Sequence, residues 1–144
     1  MRKTMTELFA GVGGFRLGLE RVESNWQTNW FSQWEPGKKK QWAHDCYVHH
    51  FGDIPDLNGE YTTGINISDV DKFSVPDHTL LCGGFPCQDY SVAHSLSSSK
   101  GIEGKKGVLW WDIRNMLIAK RPPFVLLENV DRILKSPAAQ RGRD

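Results

Sequence analysis

The 144-residue chain has no run of about 18 apolar residues, which excludes a membrane-spanning helix by sequence. It has almost no net charge. Eighteen Lys and Arg stand against seventeen Asp and Glu, for a formal charge of +1. That balance neither favours nor excludes nucleic acid, because local patches matter more than the sum. Cysteine is scarce: only Cys46, Cys82 and Cys87 occur. An odd count without a secretory leader argues against a disulfide framework. The chain has no C-x-x-C, and His49 and His50 are neighbours rather than helix-spaced ligands, so a metal site is not expected. The opening MRKTMTELFAGVGG is basic, but glycines break its apolar part too soon for a signal peptide. A cytoplasmic location is the expectation.

What is present is a core-forming composition, 39% hydrophobic, on a length that suits one domain. Apolar runs alternate with helix-like patterns. TELFA (6–10), TNWFSQWE (28–35), TTGINI (62–67), HTLLCGG (78–84) and FVLLENV (124–130) read as strands. FRLGLERV (15–22) has helical spacing at Phe15, Leu19 and Val22. KKKQWAHDCYVHHFG (38–52) places Trp42, Cys46 and His49 or His50 near one helical face, with Gly52 as a stop. GVLWWDIRNMLIAK (107–120) repeats apolar residues at Leu109, Ile113 and Leu117 and is stopped by Pro122-Pro123. DRILKS (131–136) opens a further helix. This alternation predicts an α/β fold, a doubly wound and mostly parallel sheet covered on both faces. Ligands of such sheets sit at the carboxyl ends of the strands. The polar and glycine features of this sequence fall at those ends. SLSSSKGIEGKKG (95–107) reads as a long mobile loop of the kind that is usually functional, with a disordered insertion as the competing reading.

Four features there carry chemistry. FAGVGG (9–14) links the first strand to a helix and lets backbone approach a ligand closely. A dinucleotide fingerprint would require glycine at position 16, where Arg16 stands. Glu35 ends the second strand, the usual place of a ribose-hydroxyl ligand. Cys82, amid LLCGG, reads as a buried packing residue. Cys87 follows Pro86 after a sharp turn, where a thiol can face a cleft and act as nucleophile once its pKa is lowered. Glu128-Asn129 end the fifth run. A carboxyl there, in a partly apolar pocket, would keep a proton for donation.

ELFAGVGGFRLGLE, GGFPCQDYS, GVLWWDIRNML and LLENV occur in this order. Together they resemble the amino-terminal part of the catalytic domain of bacterial DNA cytosine-5-methyltransferases of restriction–modification systems. The resemblance covers nearly the whole chain. It implies a Rossmann-like methyltransferase fold that uses S-adenosylmethionine and acts on double-stranded DNA. It implies that Cys87 attacks carbon 6 of a flipped cytosine and that Glu128, with Asn129 beside it, serves ring nitrogen 3. It places Phe9, Gly11, Gly13 and Gly14 around the methionine part of the cofactor, Glu35 at the ribose, Asn66 and Ile67 at the adenine, and Leu109 in the pocket wall. Asn66 stands where the family usually has aspartate, so the adenine contact lacks a charge. Gln88 and Ser91 match DNA contacts, and Lys100, Lys105 and Lys106 would meet phosphate.

The resemblance also has a gap. QRGR (140–143) lies too close behind ENV to be the family's arginine motif and reads as helix surface. The target-recognition domain and the final cofactor motif are not in these 144 residues. The expectation is therefore a sheet left incomplete at its C-terminal side. Its exposed edge would pair with a complementary chain or with a second copy. The alternative reading is a fragment that binds cofactor or that chain without activity by itself.

Overall fold

The computed structural model describes residues 2–22, 25–85 and 109–129. Strand β1 (Thr4–Leu8) is buried along almost its whole length, as expected of a strand covered on both faces. β2 (Gln27–Ser32), β3 (Leu80–Gly83) and β4 (Phe124–Leu127) complete a four-stranded sheet in the order β2-β1-β3-β4. Every pairing is parallel. Helix α1 (Gly14–Val22) crosses from β1 to β2, and α2 (Trp42–Phe51) follows β2. α3 (Leu109–Lys120) precedes β4.

Side-chain alternation along the strands sorts the core into two layers. Leu8, Trp30 and Leu81 pack with Ile67, Val70, Ile113 and Met116, which puts α3 on that face. Met5, Leu80 and Cys82 pack with Phe15 and Leu19 of α1, and Phe31 packs with Tyr47 of α2, on the other. The sheet is doubly wound, as expected. Strand order reverses between β1 and β3, so the crevice of the switch point opens between the ends of those two strands.

Three expectations change. TTGINI is not a strand: Ile67–Asp69 form a 3-10 turn, the described sheet has four strands, and residues 62–66 are irregular. The backbone groups of this segment go to turn bonds and side chains instead of a ladder: Asn66 O accepts Asp69 N–H and Ile67 O accepts Val70 N–H. Asn66 caps the turn by accepting Ser68 N–H (3.1 Å), and Lys72 Nζ donates to Ile67 O. α2 starts at Trp42, because the Gln41 side chain bonds back to the Glu35 and Lys38 carbonyls and holds 35–41 as a turn. Its inward face is Tyr47 with Val48 and Phe51, while Trp42, Cys46, His49 and His50 face solvent. The stretch DRILKS lies outside the described residues, as do QRGR and the loop at 95–107. No helix among the described residues is long and apolar enough to cross a membrane.

The glycine loop has one position that tolerates no side chain. Gly13 has φ +94°, and a Cβ there would lie 2.6 Å from Phe51 Cε2 and 3.1 Å from Tyr47 Cε2. Gly13→Ala would force both a left-handed backbone and an overlap with two packed rings. We expect it to lower stability by about 2 kcal/mol or more, measured by urea unfolding. Stability within about 0.5 kcal/mol of the parent would show that the loop is not seated on α2.

Candidate active site

Parallel pairing brings the carboxyl ends of the strands level. Leu8 is opposite both Ser32 and Gly83, and Gly83 is opposite Leu127. The segments leaving these residues therefore start side by side: Phe9–Gly14 after β1, Gln33–Glu35 after β2, Gly84-Phe85 after β3 and Glu128-Asn129 after β4.

The β1 loop is the most distorted of them. Phe9 has φ 52°, a left-handed conformation uncommon outside glycine, and Gly11 has φ 58°. The loop is held from three sides. Ala10 N–H donates to Ser32 O at 2.9 Å, Gly11 N–H to Gln33 Oε1 at 2.8 Å, and the Gly13 face rests on α2. A Cβ built at Gly11 or Gly14 would meet nothing within 4 Å. The loop thus presents open backbone above a packed floor, a cradle fit for a close-lying ligand. The Phe9 and Phe85 rings, 6.5 Å apart, join it to the β3 loop, and Phe85 meets Trp110 of α3 at 6.1 Å.

Glu35, expected to end the second strand, sits half-buried three residues beyond Ser32, where β2 stops, with its backbone clamped. Gln41 Oε1 accepts Glu35 N–H at 2.6 Å, and Gln41 Nε2 donates to Glu35 O at 2.9 Å. Asn66 and Ile67 lie on the 3-10 turn. Ile67 is buried, and Asn66 Oδ1 accepts Ser68 N–H. Leu109 is half-buried at the start of α3, packed on the main core.

Glu128 N–H donates to Gly83 O at 2.9 Å, prolonging the β3–β4 ladder by one bond. The Glu128 carboxylate lies over Gly84, where a Cβ would stand 2.9 Å from Oε2. Gly84 precedes Cys87 by three residues. The Glu128 side chain is exposed, so the described residues do not build the partly apolar pocket expected for it. Cys87, Gln88 and Ser91 lie outside the described residues. Cys82 is the packing residue expected. It is fully buried in β3, and burial first, then the Glu7 carboxylate opposite it, pushes its thiol up to about 12.

Three contributors escaped the sequence reading. Gln33 and Gln41 hold the loops through side chain to backbone bonds, which leave no periodic trace in sequence. The third is Glu7, 1% exposed on β1 beneath the glycine loop. Its Oε1 accepts Phe15 N–H at 3.2 Å, at the start of α1, and its Oε2 accepts the Tyr47 hydroxyl at 3.4 Å. The Arg16 guanidinium lies over the Phe51 ring at 4.3 Å and the Tyr47 ring at 5.7 Å. A single charged residue in the β1 run TMTEL was the available signal.

Burial raises the Glu7 pKa to about 7, opposed by the bonds from Phe15 N–H and Tyr47 and by the Arg16 charge. A carboxyl whose folded pKa lies above its unfolded value binds its proton more tightly in the folded state. Its contribution to stability is full below about pH 4.5 and is lost as pH rises through about 7. The loss is on the order of 3 kcal/mol at most. Glu7→Gln should therefore gain stability on the parent between pH 5 and pH 8, measured by urea unfolding at both. An equal pH dependence in the two proteins would contradict the raised pKa.

The family model of the C-5 cytosine-specific DNA methylases matches residues 3–141. The Type II methyltransferase M.Sau3AI of Staphylococcus aureus is 49% identical over 141 residues, 97% of this chain and 33% of that protein. The Type II methyltransferase M.HhaI of Haemophilus parahaemolyticus is 36% identical over 124 residues, covering 86% and 32%. The DNA-cytosine methyltransferase of Escherichia coli K12 is 30% identical over 141 residues, covering 88% and 29%. The chain spans about a third of the length of these relatives. With its doubly wound parallel sheet and the motifs at the sheet's carboxyl edge, it belongs to the C-5 cytosine-specific DNA methylase family.

Proposed function

We propose that residues 1–144 are the amino-terminal portion of the catalytic domain of a DNA cytosine-5-methyltransferase of a restriction–modification system, with sequence recognition carried elsewhere. The observation that best supports this is the level ending of β3 and β4. It brings the Glu128 carboxylate over Gly84, three residues before Cys87. A nucleophile and a proton donor are wanted within one base's reach, and these two motifs leave neighbouring strands.

The ligand assignments follow the same edge. The glycine cradle takes the methionine part of S-adenosylmethionine, with Phe9 and Leu109 as walls. Glu35 accepts from the ribose hydroxyls. Ile67 packs on the adenine. Asn66, its oxygen engaged by Ser68, offers its amide N–H groups to a ring nitrogen. S-adenosylmethionine, when bound, supplies an electrophilic methyl group on a sulfonium.

The protein's own residues supply the rest. A cytosine leaves the duplex stack, because neither group reaches it otherwise. The Cys87 thiolate forms a bond to carbon 6. Glu128 donates a proton to nitrogen 3 as electrons move into the ring, leaving carbon 5 nucleophilic toward the methyl group. Asn129 supports the Glu128 end of β4. After methylation the nitrogen 3 proton returns to Glu128, water takes the carbon 5 proton, and the electrons of that C–H bond restore the carbon 5–carbon 6 double bond as the Cys87 sulfur leaves as thiolate. Gln88 and Ser91 contact the DNA, and Lys100, Lys105 and Lys106 contact phosphate, so binding weakens with salt.

A second element of the proposal concerns β4. Phe124, Val125 and Leu126 are 57%, 44% and 48% exposed in succession. Consecutive strand residues point to opposite faces, so both faces of this edge strand are open. Further polypeptide, in the same chain or a complementary one, would cover it, and a second copy is the competing occupant.

The test is a chimera in which residues 1–144 replace the matching third of the S. aureus relative, assayed for transfer of labelled methyl to DNA. The chimera should methylate cytosine. Cys87→Ala should reduce the rate below about a thousandth of the parent. Glu128→Gln, which bonds but cannot protonate, should cost about 100- to 10,000-fold. Methyl transfer by the Cys87→Ala chimera would overturn the assignment.

A further inference from the structure

A buried ion pair lies behind the adenine end of the proposed cofactor pocket, and nothing in the reaction above uses it. Lys72 and Asp112 are 9% and 8% exposed, and Lys72 Nζ donates to Asp112 Oδ1 at 3.1 Å. All three ammonium hydrogens have acceptors. The other two go to Ile67 O and to Val70 O, the latter at 3.1 Å. Asp112 Oδ2 accepts the Ser68 hydroxyl at 2.7 Å. The cation therefore sits at the carbonyl end of the 3-10 turn, and the anion in the first turn of α3. Each charge complements the backbone end it faces.

A buried ion pair is weak evidence for stability, because apolar residues of similar volume often serve as well or better. Its partners say more. The pair fixes the turn that begins at Ile67, next to its cap Asn66, against the helix that begins at Leu109. Leu109 and Asp112 are one turn apart on the same side of α3. Three of the residues assigned to the cofactor thus depend on one charge pair for their mutual placement.

We propose that Lys72 and Asp112, with Ser68, are positioning residues that set the adenine wall of the cofactor site by locking the Asn66–Ile67 turn to the start of α3. This rests on the cofactor reading above and extends it to residues that touch no ligand.

The experiment compares the chimera described above with the same chimera carrying the double substitution Lys72→Met/Asp112→Leu. Thermal stability, affinity for S-adenosylhomocysteine by calorimetry, and amide hydrogen exchange at Asp69 and Val70 are measured on both. Those amides bond to Asn66 O and Ile67 O. The apolar pair should hold the melting temperature close to the parent's. Affinity should fall about tenfold or more, and exchange at the two amides should accelerate. Recovery of affinity together with stability would reduce the pair to a structural staple and overturn the proposal. If the double variant does not fold, Ser68→Ala decides. Weaker binding at unchanged melting temperature supports the proposal, and unchanged binding overturns it. If the parent chimera binds no S-adenosylhomocysteine, the cofactor reading fails. Exchange then judges the pair separately, unaltered rates showing that it does not set the turn.

Discussion

Parallel pairing is the constraint on which the rest of this structure depends. A strand paired in parallel must return by a crossover, so loops of one kind collect at one edge of the sheet. Here the registers end together at Leu8, Ser32, Gly83 and Leu127. Motifs scattered from Phe9 to Glu128 in sequence thereby become neighbours. A one-residue slip of β3 on β1 would turn Cys82 from the α1 layer to the α3 layer and re-aim the segment leading to Cys87. Apolar burial on both faces resists that slip. Leu81 and Cys82, adjacent in sequence, are both fully buried in opposite layers.

The second theme is support from below by polar groups. Glu7 receives the start of α1 beneath the glycine loop. Gln33 holds Gly11, and Gln41 clamps the backbone of Glu35. Lys72 and Asp112 tie the 3-10 turn to α3. Apart from the Lys72–Asp112 pair, each of these bonds joins a side chain to backbone outside the ladders, where an unmade bond is costly. The left-handed Phe9 persists because such contacts surround it.

Legibility in the sequence followed from the kind of force involved. The four described strands and three helices were readable from apolar runs and helical spacing, although the apolar run of β4 stays exposed. Leu109, Ile113 and Leu117 do face the core from α3. The glycine loop was readable because left-handed backbone selects glycine. The misreadings share a cause. TTGINI had strand-like residues, yet the 3-10 turn at its end, capped by the Asn66 side chain and bonded by Lys72, took its last backbone groups. On α2 the heavy residues Trp42 and Cys46 suggested the inner face, but stacking of Tyr47 on Phe31, with centroids 3.8 Å apart, decided the rotation of the helix. Glu7 and the Lys72–Asp112 pair depend on contacts distant in sequence, and no local pattern encodes those.

The central claim is that the thiol leaving β3 and the carboxyl leaving β4 act on one base. Its most direct measurement is covalent trapping. The chimera described above is mixed with S-adenosylmethionine and DNA carrying 5-fluorocytosine at the target. Fluorine at carbon 5 leaves no proton to lose after methylation, so the sulfur stays bonded to carbon 6. Peptide mass spectrometry should find the adduct on Cys87, and Glu128→Gln should slow its appearance. An adduct on Cys46 or Cys82, or none despite methyl transfer to ordinary cytosine, would contradict the account.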